Sequence, residues 1–202
     1  GWFFFATFFL FDQASLRNFF SLLPVIFSFV IPAITMRLVS EELNIGSYEI
    51  LLTMPVTFND VILGKFLAAV AFVAAMLIPT FAYSITVAAL GQIDWGPVIG
   101  GYIGAILLGA AFSAIGLFAS ALTRNQIIAF ITAMAICFFL TLIDKMLFFL
   151  PQSLLGILAY LGADFHFQNI SKGIIDSRDV IYFLSVCFIS LFAAHLALQE
   201  KH

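Results

Sequence analysis

Residues 98–122 read VIGGYIGAILLGAAFSAIGLFASAL. This stretch has no charged residue. A helix needs about 20 apolar residues to cross a bilayer, and this stretch is longer than that. Because lipid offers no hydrogen bonds to the backbone, such a stretch must form a helix or a strand of a closed barrel. Barrel strands alternate apolar and polar residues over about ten positions, and this sequence has no such pattern. We therefore predict a membrane-spanning helix.

The whole sequence has the same apolar character. Of its 202 residues, 63% are hydrophobic and 9% are charged, whereas a soluble domain carries about 25% charged residues. A soluble fold of this length has too much surface to bury so many apolar side chains. Lipid must therefore surround most of them, and the composition predicts an integral membrane protein.

Charged residues, prolines and glycines divide the chain into five full spans and one partial span. The full spans are expected at residues 19–36, 61–90, 98–122, 127–143 and 180–198, and the partial one at residues 2–11. The chain opens at Gly1 in an apolar run without a basic flank, so we expect no signal peptide and a natural N-terminus upstream. The predicted fold is an all-α, polytopic six-helix transmembrane bundle, with its first span only partly present, in one domain over residues 1–202.

Residues 98–122 also carry a stripe of small side chains. Gly101, Ala105, Gly109 and Ser113 follow one another at four-residue spacing. Small residues allow two spanning helices to approach closely. The stripe predicts a helix-packing face, more readily inside one subunit than between two subunits of a dimer.

Three prolines, Pro24, Pro32 and Pro79, lie inside the predicted spans. A proline removes one backbone hydrogen bond, and its ring clashes with the preceding turn of a helix. We expect a kink or a break at each proline, as a static bend in preference to a hinge.

The most informative polar stretch is residues 36–56, MRLVSEELNIGSYEILLTMPV. It predicts the end of a span, two adjacent acids, a break at Gly46, a short amphipathic helix and a stop at Pro55. Ser47 can cap that helix, and Glu49 lies in its first turn, where the helix dipole favours an acid. Such a helix can dock in a groove of a soluble partner, or it can simply join two spans. The spacing alone favours neither interpretation.

A second long polar segment covers residues 144–179. Its apolar first half is interrupted by proline and glycine, which predicts a short re-entrant or interfacial helix. Asp144 and Lys145 are expected to pair with each other at the end of a span, and His195 to snorkel or to be hydrogen-bonded near the end of the last one. Asp164 and His166 are placed in the loop, where no cysteine or further histidine stands at metal-binding spacing.

Several classes of function lack their sequence signatures. There is no G-x-S-x-G, no H-E-x-x-H and no G-x-x-x-x-G-K-[ST] motif. The net charge of −3 provides no basic patch for nucleic acid. Cys137 and Cys187 lie in apolar segments, so we expect neither a disulfide nor a metal site. The chain is therefore not expected to be an enzyme, or to bind a cofactor or nucleic acid.

Short motifs spread over nearly the whole chain resemble the ABC type-2 permease family, in particular members similar to the gliding-motility-associated permease. They are Arg37, Glu41-Glu42, Gly46-Ser47, Glu49, Leu51-Leu52, Pro55-Val56 and Gly64-Lys65; residues 94–97; residues 116–123 with Asn125-Gln126; and His166-Phe167 with Gly173, Asp176, Arg178 and Asp179. The family's entry helix and most of its first span are expected to lie upstream of Gly1.

The resemblance implies an exporter-like dimer, made with a second copy or a paralogue, over two cytoplasmic ABC ATPase subunits that bind ATP and Mg²⁺. Lysines and arginines are divided equally between the two sides, so the positive-inside rule does not orient the chain. The family places residues 37–60 in the cytoplasm as a coupling segment, and residues 144–179 outside, where an accessory protein could bind. The implied ATPase-coupling residues are Arg37, Glu41, Glu42, Gly46, Ser47, Tyr48, Glu49, Leu52 and Pro55.

The expected function is that of a permease subunit in the bacterial cytoplasmic (inner) membrane, which couples ATP hydrolysis by a separate ATPase to substrate export. The alternative is a non-transporting scaffold that couples the same type of ATPase to a motility or cell-envelope machine. The docking helix would look the same in both, and the apolar spans do not identify a substrate.

Overall fold

The computed structural model describes residues 16–46, 58–90, 94–146, 160–174 and 176–199. Within these ranges the chain forms eight α-helices and no strand. They are α1 (Arg17–Thr35), α2 (Ser40–Ile45), α3 (Phe58–Leu77), α4 (Phe81–Leu90), α5 (Trp95–Leu122), α6 (Gln126–Met146), α7 (Ala163–Ser171) and α8 (Ser177–Gln199). A 3₁₀ turn, Ile78–Thr80, joins α3 to α4.

Five stretches of this helical structure are long and apolar enough to cross a membrane. They are α1 continued into α2, α3 continued into α4, and the single helices α5, α6 and α8. The five predicted full spans are thus confirmed, and so is the all-α polytopic fold class. The predicted partial span, residues 2–11, lies outside the described residues.

α5 is the central helix of the bundle, because α1, α3, α6, α7 and α8 all pack against it. Glycines allow this close approach. A Cβ at Gly101 would lie 2.5 Å from ring carbons of Phe20, and a Cβ at Gly109 would lie 2.6 Å from Cγ1 of Val73. Helices of the same chain therefore occupy the face marked by small residues. The whole stripe is buried: Gly101, Ala105, Gly109 and Ser113.

Successive spans run in opposite directions, so the bundle has two ends. At one end, α2 lies against the last turns of α5 and α8 and the first turns of α3, and Leu43, Ile62, Leu117 and Leu198 pack together there. At the other end, α7 packs against α5, α6 and α8. We call these the α2 end and the α7 end.

The three prolines have different effects. Pro79 lies in the 3₁₀ turn between α3 and α4, so the predicted break at this position is confirmed. Pro24 and Pro32 lie inside α1, which continues through both, so no break occurs at either. A proline lacks the N–H donor and its ring crowds the preceding turn, but its own carbonyl remains an acceptor. The carbonyl of Pro32 still accepts from the backbone N–H of Met36 at 2.9 Å.

Candidate functional site

The two adjacent acids predicted to contact a partner lie on α2. Glu41 and Glu42 occupy its first turn, where the positive end of the helix dipole favours acids. Gly46 follows the helix with φ +74°, in the left-handed region that glycine adopts at helix C-termini. The predicted break at Gly46 is confirmed.

α2 itself is not predicted by the sequence, which placed a short helix only after Gly46. A helix of six residues is too short to show an apolar periodicity, and its amino end has no recognisable cap. The predicted amphipathic helix and five of the proposed contact residues lie outside the described residues: Ser47, Tyr48, Glu49, Leu52 and Pro55.

Ser120 of α5 holds the turn between α1 and α2. Its Oγ accepts hydrogen bonds from the backbone N–H groups of Val39 (3.1 Å) and Ser40 (2.9 Å). The same hydroxyl donates to the carbonyl oxygen of Met36 at 2.9 Å. A hydroxyl has one donor and two acceptor positions, so all three are in use. Val39 at the N-cap has no polar side chain, and Ser120, from another helix, accepts from two of the unpaired N–H groups at the start of α2.

Lys65 of α3 holds the same turn from another side. Its Nζ donates to the carbonyl oxygen of Leu38 and lies 2.5 Å from Oε1 of Glu42. The side chains of this ion pair are 18% and 29% exposed, so salt screens it less than a fully solvated pair. The sequence places Lys65 one turn inside its span but does not indicate its partners.

Arg37 makes a looser contact at the α2 end. Its Nε lies 3.4 Å from Oε2 of Glu41 and donates to Oε1 of Gln126 at 3.2 Å. Both members of the ion pair are exposed, and exposed ion pairs contribute only about 0–1 kcal/mol. Arg37 therefore joins α2 to the start of α6 weakly.

The α7 end contains a buried histidine–aspartate pair. Nδ1 of His166 in α7 lies 2.6 Å from Oδ1 of Asp179 in α8, and both side chains are buried. Nε2 of His166 lies 3.0 Å from the carbonyl oxygen of Tyr160. A carbonyl oxygen only accepts, so Nε2 must donate to it. The pair therefore holds two protons, either as imidazolium and carboxylate or as neutral imidazole and carboxylic acid.

The surroundings of this pair differ from the expected polar loop. His166 lies in a helix and its ring stacks on Tyr182, with ring centres 4.1 Å apart. The Tyr182 hydroxyl donates to the carbonyl of Leu161 at 2.7 Å. Within the predicted segment 144–179, His166 and Asp164 thus lie on the short helix α7 and are buried, which the sequence does not indicate. Phe183 of α8, the next helix in the chain, is one of the rings around His166.

Lys145 has a partner that the sequence does not indicate. Its Nζ lies 3.9 Å from Oδ2 of Asp164, which also accepts from Nε2 of Gln168 at 3.0 Å. The side chain of Asp144, the predicted partner, lies outside the described residues. The contact joins the end of α6 to α7.

A glycine lets the chain return closely past the start of α5. Gly173, after α7, has φ +86°, and a Cβ there would lie 3.1 Å from the carbonyl carbon of Gly96. An L side chain would be strained at this φ. The glycine thus allows the turn after α7 to pack on α5.

The remaining candidate residues lie apart from both sites. Cys137 and Cys187 are buried and have free thiols. His195 is half-buried on α8 and faces a groove shared with Asn59 of α3. Among the described residues, no three His, Cys, Asp or Glu side chains lie close enough together to hold a metal ion.

Comparison with known families adds to this geometry. A family model described as ABC-2 family transporter protein matches residues 5–172. The match covers α1 to α7 and so includes the residues that hold α2 and most of the α7 end. No curated protein matches the sequence. With a family match over most of the chain and five helices able to span a membrane, this multi-pass permease belongs to the ABC-2 family of transporter proteins.

Proposed function

We propose that this permease couples ATP hydrolysis by a separate ABC ATPase to the export of a substrate across the bacterial cytoplasmic membrane. Family membership makes the chain the permease subunit of an ABC transporter. The observation that carries the proposal is the acidic helix α2, which is exposed on its outer side and held to the bundle on its inner side. Under this proposal the α2 end faces the cytoplasm.

The outer side of α2 has the chemistry of a docking surface. The Glu41 side chain is 44% exposed and Ile45 is 69% exposed, so an acid and an apolar side chain are both available. A groove with basic residues at its rim and an apolar floor would complement them. We assign this groove to the ATPase. The proposed contact residues are Arg37, Glu41, Glu42, Gly46, Ser47, Tyr48, Glu49, Leu52 and Pro55.

The proposed assembly has two permease subunits, either two copies of this chain or this chain and a paralogue, over two ATPase subunits. ATP and Mg²⁺ are bound by the ATPase, since this sequence has no phosphate-binding loop. The segment 144–179 lies outside the cell and is available to an accessory protein. The two nucleotide states of the ATPase would bias two arrangements of the spans, as in other rigid-body switches.

Charge reversal tests the docking. We expect the variant E41K/E42K to lose the ATPase in co-purification, or to keep it while ATP hydrolysis no longer responds to the permease. The reason is that two lysines would repel a basic groove. The control is K172E, which reverses an exposed charge at the α7 end and should retain both properties. Full retention of binding and coupling in E41K/E42K would contradict the proposal.

An exporter and a mechanical scaffold should differ in how ATP hydrolysis responds to a substrate. The test uses vesicles that contain the permease–ATPase complex, to which candidate lipid-like or peptide substrates are added. We expect one of these substrates to stimulate ATP hydrolysis. Stimulation by one of them, lost in E41K/E42K, supports export. Hydrolysis that responds to none, but does respond to a cell-envelope protein, would instead support the scaffold alternative.

A further inference from the structure

We propose that Ser120 and Lys65 are positioning residues that make α2 move as one body with the adjacent ends of α5 and α3. The inference rests on the proposed docking of the ATPase at α2. Neither side chain belongs to that docking surface, because Ser120 is fully buried and Lys65 is only 18% exposed. Their role is to transmit the displacement of α2 into the bundle.

The ends of α1 and α2 create the need for such residues. Every helix leaves unpaired C=O groups at its carboxyl end and unpaired N–H groups at its amino end. Here residues 36–39 are all that separates α1 from α2, so both sets of groups meet in one turn. Val39 cannot cap α2 with its own side chain. Ser120 accepts from two of the N–H groups and donates to one of the carbonyls.

Lys65 complements Ser120 by binding both sides of the turn. Its ammonium group donates to the carbonyl of Leu38, which precedes α2, and pairs with Glu42 inside α2. Charge-assisted hydrogen bonds are stronger than neutral ones. A rotation of α2 away from α3 would therefore have to break two contacts of one side chain.

Apolar packing brings a fourth helix into the same body. Val39 and Leu43 of the α2 segment pack against Leu117 of α5, Ile62 of α3 and Leu198 of α8. In contrast, the contact of Arg37 with α6 is exposed and weak. α2 also lies against α6, so a push on α2 reaches α6 as well as α5, α3 and α8.

The attachment of α2 to α5 matters because α5 lies at the centre of the bundle. Besides α2, five helices pack on α5, and the close contacts of its glycines with Phe20 and Val73 leave no free space there. Displacement of its last turn must shift those neighbours or deform the helix. Ser120 thus connects the docking surface directly to the core of the bundle.

A distance measurement on the permease alone, without the ATPase, tests whether Ser120 and Lys65 fix α2 to the bundle. Spin labels are attached in the full chain at Ile45→Cys on α2 and Leu122→Cys at the end of α5, two exposed positions, with Cys137 and Cys187 replaced by Ala. In lipid nanodiscs, electron paramagnetic resonance should give one narrow distance distribution. We expect it to broaden in S120A and in K65M, and to stay narrow in K65R, which keeps the charge and the donors.

Ser113 provides a matched control on the same helix. It is as fully buried as Ser120, but its Oγ has no hydrogen-bond partner among the described residues. S113A makes the same chemical change and should leave the distance distribution narrow. Distributions in S120A and K65M that are as narrow as in S113A would overturn the proposal.

A second measurement distinguishes the attachment of α2 to the bundle from the docking of the ATPase on α2. In the complex with the ATPase, S120A and K65M should keep the ATPase bound, because neither replaces a residue of the docking surface and the exposed Glu41 is untouched. They should lower the stimulation of ATP hydrolysis by the permease about five-fold or more, the lower end of typical coupling factors. K65R should restore it. Stimulation that is equal in S120A, K65M and S113A would contradict a positioning role.

The two proposals fail in different ways. The variant that separates them is E41K, which leaves the pair of Lys65 with Glu42 in place. If E41K keeps the ATPase and its coupling while S120A still broadens the distances, the docking is wrong and the attachment of α2 stands. If E41K loses the ATPase while S120A leaves the distances narrow, the docking stands and the attachment is wrong.

Discussion

At the scale of single residues, Val39 is in an unusual position. The N-cap of a helix favours Ser, Thr, Asp or Asn, because their side chains accept from the first N–H groups. Valine cannot do so, and the acceptor comes from Ser120, which is 81 residues away in sequence. Residue patterns near position 40 therefore do not predict α2. Only the packing of α5 against the turn reveals the missing cap.

His166 illustrates the same limit. The sequence places it in the polar part of the segment 144–179 and does not indicate its burial, whereas its ring is enclosed by Tyr182, Phe183 and Phe165. The rings around it come equally from α8 and from residues beside it in sequence, and no local pattern shows how α7 and α8 meet. Both His166 and Asp179 are recognisable in the sequence as family matches, but their pairing is not.

We expect replacement of His166 to destabilise the α7 end strongly. In H166F, Asp179 would keep a buried carboxyl group without its partner, which should lower the free energy of unfolding by about 3–5 kcal/mol. The ring of phenylalanine retains the stacking on Tyr182. Thermal unfolding of the purified protein in detergent measures the effect.

The double variant H166F/D179L is the control for this prediction. It removes the unpaired acid together with the histidine, so it should be clearly more stable than H166F alone. Equal stability of the single and the double variant would mean that the pair does not determine the loss.

At the scale of helices, the spans are well predicted because lipid leaves the backbone few alternatives. The break at Pro79 and the turn at Gly46 also follow from local chemistry, since each residue restricts the backbone where it stands. Pro24 and Pro32 show where this reasoning ends. The cost of one lost hydrogen bond is visible in the sequence, but the packing of α1 on α5 and α6, which keeps the helix continuous, is not.

Two glycines on different helices should respond oppositely to the same substitution. In G109A the new Cβ would lie 2.6 Å from Cγ1 of Val73, so α5 and α3 would have to separate. We expect a loss of about 1–3 kcal/mol in the free energy of unfolding, as in other overpacked cores.

Gly64 of α3 is the matched position, because nothing lies within 4 Å of a Cβ placed there. Alanine favours the helix over glycine by about 0.8–1.0 kcal/mol, so G64A should stabilise the protein. Thermal unfolding of both variants under one set of conditions tests the pair. A stabilised G109A would show that α5 does not pack tightly against α3.

At the scale of the whole molecule, the polar contacts described above lie at the two ends of the bundle. The α2 end presents acids held by Ser120 and Lys65, and the α7 end encloses His166 with Asp179. The sequence predicts both polar segments but not their internal contacts. It also does not orient them, because lysines and arginines are balanced between the two sides.

Chemical labelling should determine this orientation. In a background without Cys137 and Cys187, we introduce K172C at the α7 end or R124C at the α2 end, two exposed positions. A membrane-impermeant maleimide should label K172C in intact cells and R124C only after permeabilisation, because residues 37–60 are proposed to face the cytoplasm.

Each single-cysteine protein serves as the other's control for cell integrity. Labelling of R124C but not K172C in intact cells would invert the proposed topology, and with it the location of the ATPase.

Because Ser120 of α5 binds the N–H groups at the start of α2, the α2 segment should not keep its structure when it is separated from the bundle. A synthetic peptide of residues 36–46 would contain Val39 but not the hydroxyl of Ser120, and peptides this short are rarely helical in water. It would therefore compete poorly with the intact permease for the ATPase. By the same reasoning, a chimera that exchanges only residues 37–60 between two permeases would transfer the acids without their support. To change the ATPase that a permease accepts, the residues equivalent to Lys65 and Ser120 would have to be exchanged as well.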